Sequence, residues 1–194
     1  MRKFAAIFEN NMADLSKTEQ QFKDVMVECR TLFQKKLHDY GASWRILRPS
    51  SLTDQIFIKA NRIRSIQVKG EHLIDEGIRP ELIGIVNYAA MALIQCKLGY
   101  ADSADISHDQ AIAEYDEQVK TATNLMLSKN HDYDEAWRQM RTSSITDIIL
   151  MKLYRTKQIE DHNGATKISE GVEANYQDMI NYAVFALIQT NSHQ

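Results

Sequence analysis

"HDYGASWRILRPSSLTD", residues 38–54, returns 93 residues later as "HDYDEAWRQMRTSSITD", residues 131–147. The match continues on both sides without a gap, and nearly half of the aligned positions are identical. After one inserted residue, "EGIRPELIGIVNYAAMALIQ" (76–95) matches "EGVEANYQDMINYAVFALIQ" (170–189). A coincidence of common helix-forming residues does not produce agreement of this length, so the chain is an internal duplication.

Each copy contains three predicted helices. In the first copy they cover about 15–37, a segment that starts after Ser51, and 79–98. The equivalent helices of the second copy are 108–129, a segment after Ser144, and 173–190. The first helix carries apolar residues at steps of three and four, whereas the third is apolar nearly all round and should be central. With only 7 Gly and 2 Pro in 194 residues, the chain has few helix breakers.

The apolar third helices predict how the copies pack. One copy, at roughly 80 residues, buries little surface on its own. We therefore predict an all-α fold in which two tandem three-helix repeats pack with pseudo-twofold symmetry into one bundle-like domain. The predicted parts are repeat one at 1–98, a polar linker at 99–110 and repeat two at 111–194.

Composition restricts the class of protein. The formal net charge of -3 argues against a surface that coats duplex nucleic acid. Cys29 and Cys96 are the only cysteines, too few for a disulfide framework or a zinc site, and they fit a reducing compartment. No apolar run approaches the length of a membrane span, and the N-terminus does not resemble a signal peptide. We predict a cytoplasmic protein without membrane contact.

A serine and an aspartate three residues apart recur at the start of the second helix. Ser51 with Asp54, repeated from Ser144, has the spacing of a capping box, in which the serine oxygen accepts a backbone amide. Alternatively, the free amides of this helix start bind a phosphate beside Arg48 or Arg141. The two interpretations are compatible.

Two basic residues lie three apart on the second helix. Lys59 and Arg62 are neighbours on one helix face, which places like charges side by side. Their duplicates are Lys152 and Arg155. An ion pair with Glu76 or Glu170, or a solvated face, is one interpretation, and a cradle for a polyphosphate is the other.

Aromatic and histidine side chains lie at the turn after the first helix. The residues are His38, Tyr40 and Trp44, with the duplicates His131, Tyr133 and Trp137. The rings pack in the helix corner or stack on a nucleobase. Each histidine precedes an aspartate, so it serves as a helix-end partner or as a general base.

The third helices contain polar residues in an apolar setting. Asn87 and Asn181 are amides that must be hydrogen-bonded once buried, and they serve packing specificity or a ligand. Asp178 lies three residues before Asn181, where a carboxylate is costly unless it is paired or binds a metal. Mg²⁺ is the candidate cofactor, held by Asp178 with Glu170, and with Glu76 as the equivalent of Glu170.

"HDYGASWR", "KANRI" and "EGI…NYAAMALI" resemble the nucleotide-modification-associated domain family of its first type, formerly a domain of unknown function, in both copies. The family is all-helical, and it is distantly similar to the MazG-like all-α nucleotide pyrophosphohydrolases. The resemblance implies nucleotide handling. The residues that match its motifs in copy one are Tyr40, Trp44, Lys59, Arg62, Glu76, Asn87 and Tyr88. Those in copy two are Tyr133, Trp137, Lys152, Arg155, Glu170, Asp178, Asn181 and Tyr182.

The chain departs from the family pattern at four positions. Gly84 replaces the acid of the third helix in copy one, and Asp134 replaces the motif glycine in copy two. Ile58 and Met151 stand where an acid is expected before the lysine of the second helix. Losing that carboxylate in both copies counts against a metal-dependent hydrolase.

Two functional hypotheses remain open, and a purely structural helical protein is a third. The first is an enzyme that hydrolyses or modifies a (deoxy)nucleoside phosphate with Mg²⁺ held by Glu170 and Asp178. The second is a non-catalytic module that binds a nucleotide or assembles a nucleotide-modifying complex. In either case the partner is a nucleotide or another phosphorylated small molecule, and the chain could form a homodimer. The predicted phosphate ligands are Arg45, Arg48, Lys59, Arg62, Arg138, Arg141, Lys152 and Arg155.

Overall fold

The computed structural model describes residues 2–70, 77–162, 164 and 170–191, and of residues 2–16 it describes only the backbone. Its α-helices are α1 (Arg2–Tyr40), α2 (Pro49–Lys69), α3 (Arg79–Leu98), α4 (His108–Tyr133), α5 (Thr142–Asp161) and α6 (Val172–Asn191). A short 3-10 turn follows α1 at Ser43–Ile46, and another follows α4 at Ala136–Gln139. No strand occurs among these residues, so the prediction of an all-α fold is confirmed.

The order of elements repeats. A long helix, a 3-10 turn and two further helices make up repeat one (α1–α3), and the same series makes up repeat two (α4–α6). The helix α1 is longer at both ends than the predicted 15–37. The helix α4 begins at His108, where the helix was predicted to start, and the Ser107 side chain caps it by accepting from the Gln110 backbone N–H at 3.2 Å.

The centre of the molecule is formed by α3 and α6, which pack against each other and against α2 and α5. Both helices are buried over most of their length, as their continuous apolar sequence predicts. Among the described helices, α3 is the one whose length and composition would suit a membrane span, and most of it is buried inside the protein.

Equivalent helices of the two repeats contact each other, and some of their contacts are reciprocal. The Thr53 hydroxyl on α2 donates to Glu160 Oε1 on α5 at 2.8 Å. In the opposite sense, Gln67 Nε2 on α2 donates to the Thr146 hydroxyl on α5 at 3.0 Å. The ion pairs Lys157–Asp54 and Arg64–Asp147 are reciprocal in the same way, because each joins a base of one repeat to the equivalent aspartate of the other. Reciprocity of this kind is expected of halves related by a twofold axis. It supports the pseudo-twofold packing, which stays a prediction.

Glu160 gives this interface a pH dependence. Burial raises the pKa of Glu160, although hydrogen bonds from Thr53 and Tyr176 act in the opposite direction. A raised pKa in the folded protein contributes stability below the unfolded pKa, and this contribution is lost as pH rises through the folded pKa. We expect Glu160→Gln, which installs the residue present at equivalent position 67, to raise the melting temperature at pH 8. The gain should shrink as pH falls to about 4. A gain that is the same at both pH values in thermal unfolding would contradict this assignment.

Candidate functional site

The two 3-10 turns are fixed by equivalent glutamines from the last helix of each repeat. Gln95 Nε2 donates to the carbonyl oxygens of Leu47 at 2.6 Å and Arg45 at 2.9 Å. Gln189 Nε2 donates to Met140 O at 2.9 Å and Trp137 O at 3.1 Å. Sequence reasoning missed this role, although "ALIQ" ends both copies of the matched segment. The glutamines hold each turn, and with it each tryptophan, against the central helices.

The capping-box prediction was wrong. The helix α2 begins at Pro49 with Arg48 as N-cap and without a side-chain cap hydrogen bond, and α5 begins in the same way after Arg141. Ser51 lies inside the first turn, where its own backbone N–H bonds to Arg48 O at 3.0 Å. In α2 the first helical residue is Pro49, which favours this start because it lacks the N–H that a cap would otherwise satisfy, whereas α5 begins at the same position with Thr142. Arg48 and Arg141 are exposed.

The turn after α4 contains a left-handed residue that is not glycine. Asp134 has φ 50°, whereas Gly41 supplies φ 62° at the equivalent position of repeat one. A side chain is disfavoured in this conformation. We expect Asp134→Gly to raise the free energy of unfolding by about 0.5–1 kcal/mol in urea titrations. Gly41→Asp is the matched change in the opposite direction and should lower it by a similar amount. If both substitutions raised the free energy of unfolding, or both lowered it, the effect could not be assigned to the left-handed backbone at these two positions.

Two cavities open beside the 3-10 turns, one in each repeat. The repeat-one pocket is about 340 Å³ and the repeat-two pocket about 320 Å³, within the range of small-molecule sites. Nine equivalent positions line both pockets, and at four of them the residue is identical: Lys36 and Lys129, Tyr40 and Tyr133, Trp44 and Trp137, Tyr88 and Tyr182. The duplicated motif therefore builds one cavity twice.

The polar wall of the repeat-two pocket is an aspartate between two lysines. Asp178 Oδ1 accepts from Lys129 Nζ at 2.6 Å, and its Oδ2 accepts from Lys152 Nζ at 2.5 Å. Burial acts to lower the pKa of Lys129, but the hydrogen bond to Asp178 and the charges of Asp178 and Glu170 outweigh it and raise the pKa. The group therefore carries one net positive charge at neutral pH. The Lys152 side chain is the less exposed of the two lysines, at 13%, and the Lys129 side chain is 45% exposed.

Asn181, on the same wall, has no hydrogen-bond partner for either amide atom within the described part of the chain, although it is 4% exposed. The equivalent Asn87 is fully engaged, because its Nδ2 donates to Cys29 O at 3.1 Å and its Oδ1 accepts from the Tyr115 hydroxyl at 2.7 Å. Phe22 occupies the position equivalent to Tyr115 and has no hydroxyl to offer. The indole N–H of Trp137 in the same pocket is also unpaired. Each unsatisfied buried group costs about 1–3 kcal/mol.

The repeat-one pocket has lost this polar wall. Gly84 stands where repeat two has Asp178, and the Lys59 side chain lies across the glycine, 2.5 Å from where a Cβ would be. Lys59 Nζ pairs with Glu81 at 3.2 Å, and Arg62 pairs with the same carboxylate. The sequence did not predict Glu81 as the partner of these bases, and the predicted partner in this repeat, Glu76, lies outside the described residues. The carboxylate of repeat one, Glu81, therefore lies about one helical turn before Gly84, the position equivalent to Asp178.

Asn175 occupies the position of Glu81 in repeat two, and its amide donates to Gly171 O at 3.0 Å. Lys152 turns to Asp178 instead. Arg155, the equivalent of Arg62, is exposed and forms no ion pair with the described residues. Among the described residues, repeat two therefore keeps an unpaired guanidinium on the same helix as Lys152, one turn further along.

The tryptophans do not present free faces for stacking. Phe185 stacks on Trp137 with ring centroids 4.3 Å apart and nearly parallel planes. The Arg138 guanidinium lies 4.4 Å from the Trp137 centroid, so it must cover the opposite face. The Trp44 ring packs against Phe33 and lies near the guanidinium of Arg45. Packing is thus the role of both ring systems, and only their N–H groups are free.

Arg45 and Arg138 are engaged in structural contacts. Arg45 is 2% exposed, and its guanidinium donates to Asp105 at 2.8 Å, to Gly99 O at 2.6 Å and to Gln95. Arg138 Nε donates to Glu135 at 2.5 Å, and its Nη2 donates to Thr18 and Gln21 on α1. Neither guanidinium is free for a phosphate, so we leave both out of the site.

The remaining predicted residues of the turns lie at the surface. Tyr40 and Tyr133 are each 70% exposed at the mouths of their pockets. His38 and His131 are exposed and contact only the neighbouring Asp39 at 3.4 Å and Asp132 at 3.2 Å. The tyrosines are placed to meet a ligand, whereas neither histidine lines its pocket.

The described side chains of the repeat-two pocket do not form a suitable site for Mg²⁺. Both oxygens of Asp178 already accept from ammonium groups, and no other carboxylate lines the pocket. Glu170 is exposed, and Glu76 lies outside the described residues. No cluster of three potential metal ligands occurs within the described ranges. A cation that prefers several oxygen ligands would have to displace two lysines.

These features define a duplicated all-α protein with one polar and one apolar version of the same pocket. The chain belongs to the family described as nucleotide modification associated domain 1, which it matches twice, at residues 36–96 and 129–190. The family matches confirm the resemblance and the duplication, and they associate the chain with nucleotide modification. No curated protein and no solved structure matches the chain. The similarity to MazG-like enzymes therefore stays a prediction.

Proposed function

We propose that the repeat-two pocket binds a nucleoside phosphate and does not cleave it. The observation that carries the proposal is the unpaired amide of Asn181, buried in a cavity of about 320 Å³ beside Lys129 and Lys152. A ligand with a donor next to an acceptor would satisfy both amide atoms at once. The family association with nucleotide modification supports a nucleotide as that ligand.

The base would lie against Asn181. An asparagine amide pairs with a base edge through two hydrogen bonds, with its oxygen accepting and its nitrogen donating. The free N–H of Trp137 adds a donor for a second acceptor on the ring. Tyr133, at the pocket mouth, is the exposed ring available for stacking, in place of the covered tryptophan.

The phosphate would lie toward the lysines and Arg155. Lys129 is partly exposed and carries a stabilised positive charge, and Arg155 has no described ion-pair partner. A phosphate at the pocket mouth would share Lys129 with Asp178 and add the guanidinium as a bidentate donor. Binding without cleavage follows from the paired state of Asp178, which leaves no free carboxylate in the pocket to hold a metal ion or to activate water.

The test is a thermal-shift and calorimetric screen of ribo- and deoxyribonucleoside mono- and triphosphates in EDTA. We expect at least one nucleotide to bind with one site per chain, and to stabilise the protein by about 2.7 kcal/mol at 100 times its Kd. The matching nucleoside and inorganic triphosphate should each bind at least tenfold more weakly. Binding by none of the nucleotides would contradict the proposal. Release of phosphate or pyrophosphate in Mg²⁺, followed by phosphorus NMR, would favour the hydrolase hypothesis instead.

Lys129→Met and Lys36→Met form a matched pair of variants. Lys129 lines the polar pocket and Lys36 the equivalent wall of the other. Losing one charge-assisted hydrogen bond removes about 1.5–3 kcal/mol, so Lys129→Met should weaken nucleotide binding by about tenfold or more. Lys36→Met should leave the affinity unchanged. Equal losses in both variants would place the ligand elsewhere.

A further inference from the structure

The repeat-one pocket is a cavity of different chemistry from its duplicate. Leu37 stands where repeat two has Asn130, and Gly84 stands in place of Asp178. Both exchanges replace a polar side chain with an apolar residue or with glycine, whereas Ser43 stands in place of Ala136 in the opposite sense. The repeat-one pocket nevertheless has about the same volume, 340 Å³.

One polar group in this cavity is buried and unsatisfied. Trp44 is 8% exposed, and its Nε1 has no hydrogen-bond partner among the described residues. An indole N–H is a donor only, so the group that would satisfy it is a single acceptor. The side-chain amide of Asn87, the equivalent of Asn181, offers no second unsatisfied group, because it is already hydrogen-bonded to the Tyr115 hydroxyl and the Cys29 carbonyl.

The walls favour a flat, uncharged body. Phe33, Tyr88 and Met91 line the interior, and the exposed side chains of Tyr40 and Ile46 stand at the mouth. Lys59 is turned away toward Glu81 and is not among the lining residues, so Lys36 is the one cation that the described lining offers, against Lys129 and Lys152 in repeat two. We propose that the repeat-one pocket is a second ligand site, which takes an uncharged ring compound with one hydrogen-bond acceptor and no phosphate.

Quinoline and naphthalene are suitable probes, because they share one shape and only quinoline carries a ring nitrogen that accepts a hydrogen bond. With two tryptophans in the chain, a nitrogen–proton NMR spectrum contains two indole N–H signals, which Trp44→Phe assigns. We expect quinoline to shift the Trp44 signal saturably and to leave the Trp137 signal in place. Quinoline should bind about fivefold more tightly than naphthalene, the effect of one hydrogen bond of about 1 kcal/mol.

Trp44→Phe provides the decisive comparison, because it keeps an aromatic ring and removes the donor. Fluorescence-independent measurement by calorimetry should show that the preference for quinoline disappears while naphthalene binding changes little. No shift of the Trp44 signal, equal binding of both probes, or a preference that survives in Trp44→Phe would each overturn the proposal. Should Trp44→Phe fail to fold, the preference of the wild-type protein for quinoline over naphthalene and the shifts of its two indole N–H signals still test the proposal. Because no nucleotide is used, the outcome is independent of the repeat-two site.

Discussion

Asp178→Asn is expected to destabilise the protein and, in the same variant, to strengthen its binding of nucleotides. The carboxylate pairs with two ammonium groups, at 2.6 and 2.5 Å. Without it, Lys152 is left partly buried beside a neutral amide. Removing one partner of a buried ion pair costs about 3–5 kcal/mol, and the partial exposure of Lys129 places this case toward the lower end.

The same change leaves both lysines free to meet a phosphate. We expect the affinity for a nucleoside triphosphate in EDTA to rise about tenfold, which corresponds to one additional charge-assisted hydrogen bond. Urea unfolding and calorimetric titration measure the two effects separately. If Asp178 instead held a metal ion for the ligand, the variant would bind nucleotides more weakly in Mg²⁺, and that result would remove the non-catalytic account.

Glu81→Gln is the control for this prediction. Glu81 is the acid that neutralises Lys59 and Arg62 in repeat one, and it lies outside the repeat-two pocket. It should destabilise the protein through the same loss of a paired carboxylate, while the nucleotide affinity stays unchanged. A rise in affinity in this variant as well would mean that general positive charge, rather than the repeat-two pocket, attracts the ligand.

Asn87→Leu and Asn181→Leu should have opposite effects on stability. Asn87 bonds to the Cys29 carbonyl and to the Tyr115 hydroxyl, so its replacement removes two hydrogen bonds and leaves the buried Tyr115 hydroxyl unsatisfied, at about 1–3 kcal/mol. Asn181 has no partner to lose, and an apolar side chain of similar size should recover about 1–3 kcal/mol. Urea unfolding of the two variants provides the comparison.

Of these two asparagines, Asn181 is the one whose replacement should weaken nucleotide binding. Asn181→Leu is expected to lower the affinity by about a hundredfold, because two hydrogen bonds to the base are lost. Asn87→Leu should retain wild-type affinity where it remains folded. Phe22→Tyr offers a third check, since it supplies the hydroxyl that Tyr115 gives to Asn87. It should stabilise the free protein and weaken binding by competing for Asn181. An Asn181→Leu variant that binds normally would contradict the proposed site.

The sequence predicted the architecture well because helix periodicity and internal repetition depend on many residues at once. The duplicated turn, the central third helices and the unusual position of Asp178 all followed from pattern alone. The failures were local. The spacing of the serines in the duplicated turn predicted a capping box, but α2 begins earlier, at Pro49, with Arg48 as its N-cap. Such boundaries depend on backbone hydrogen bonds that spacing does not specify.

The partners of the charged residues were also beyond the sequence. Arg45 pairs with Asp105 in the connection between the repeats, and Arg138 reaches α1, although both arginines have the same place in the motif. The unpaired state of Asn181 depends on Phe22, a residue more than 150 positions away along the chain. A comparison of position 22 with position 115 could have suggested it, but only once α1 and α6 were known to contact each other.

The most direct test of the account is the side-chain amide signal of Asn181 in a nitrogen–proton NMR spectrum, identified by its absence in Asn181→Leu. Titration with the nucleotide selected by the screen should move this signal saturably, with the Kd found by calorimetry, and should leave the amide signal of Asn87 in place. An Asn181 signal that stays fixed while the nucleotide binds, or an Asn87 signal that moves equally, would contradict the claim that this buried amide holds the ligand.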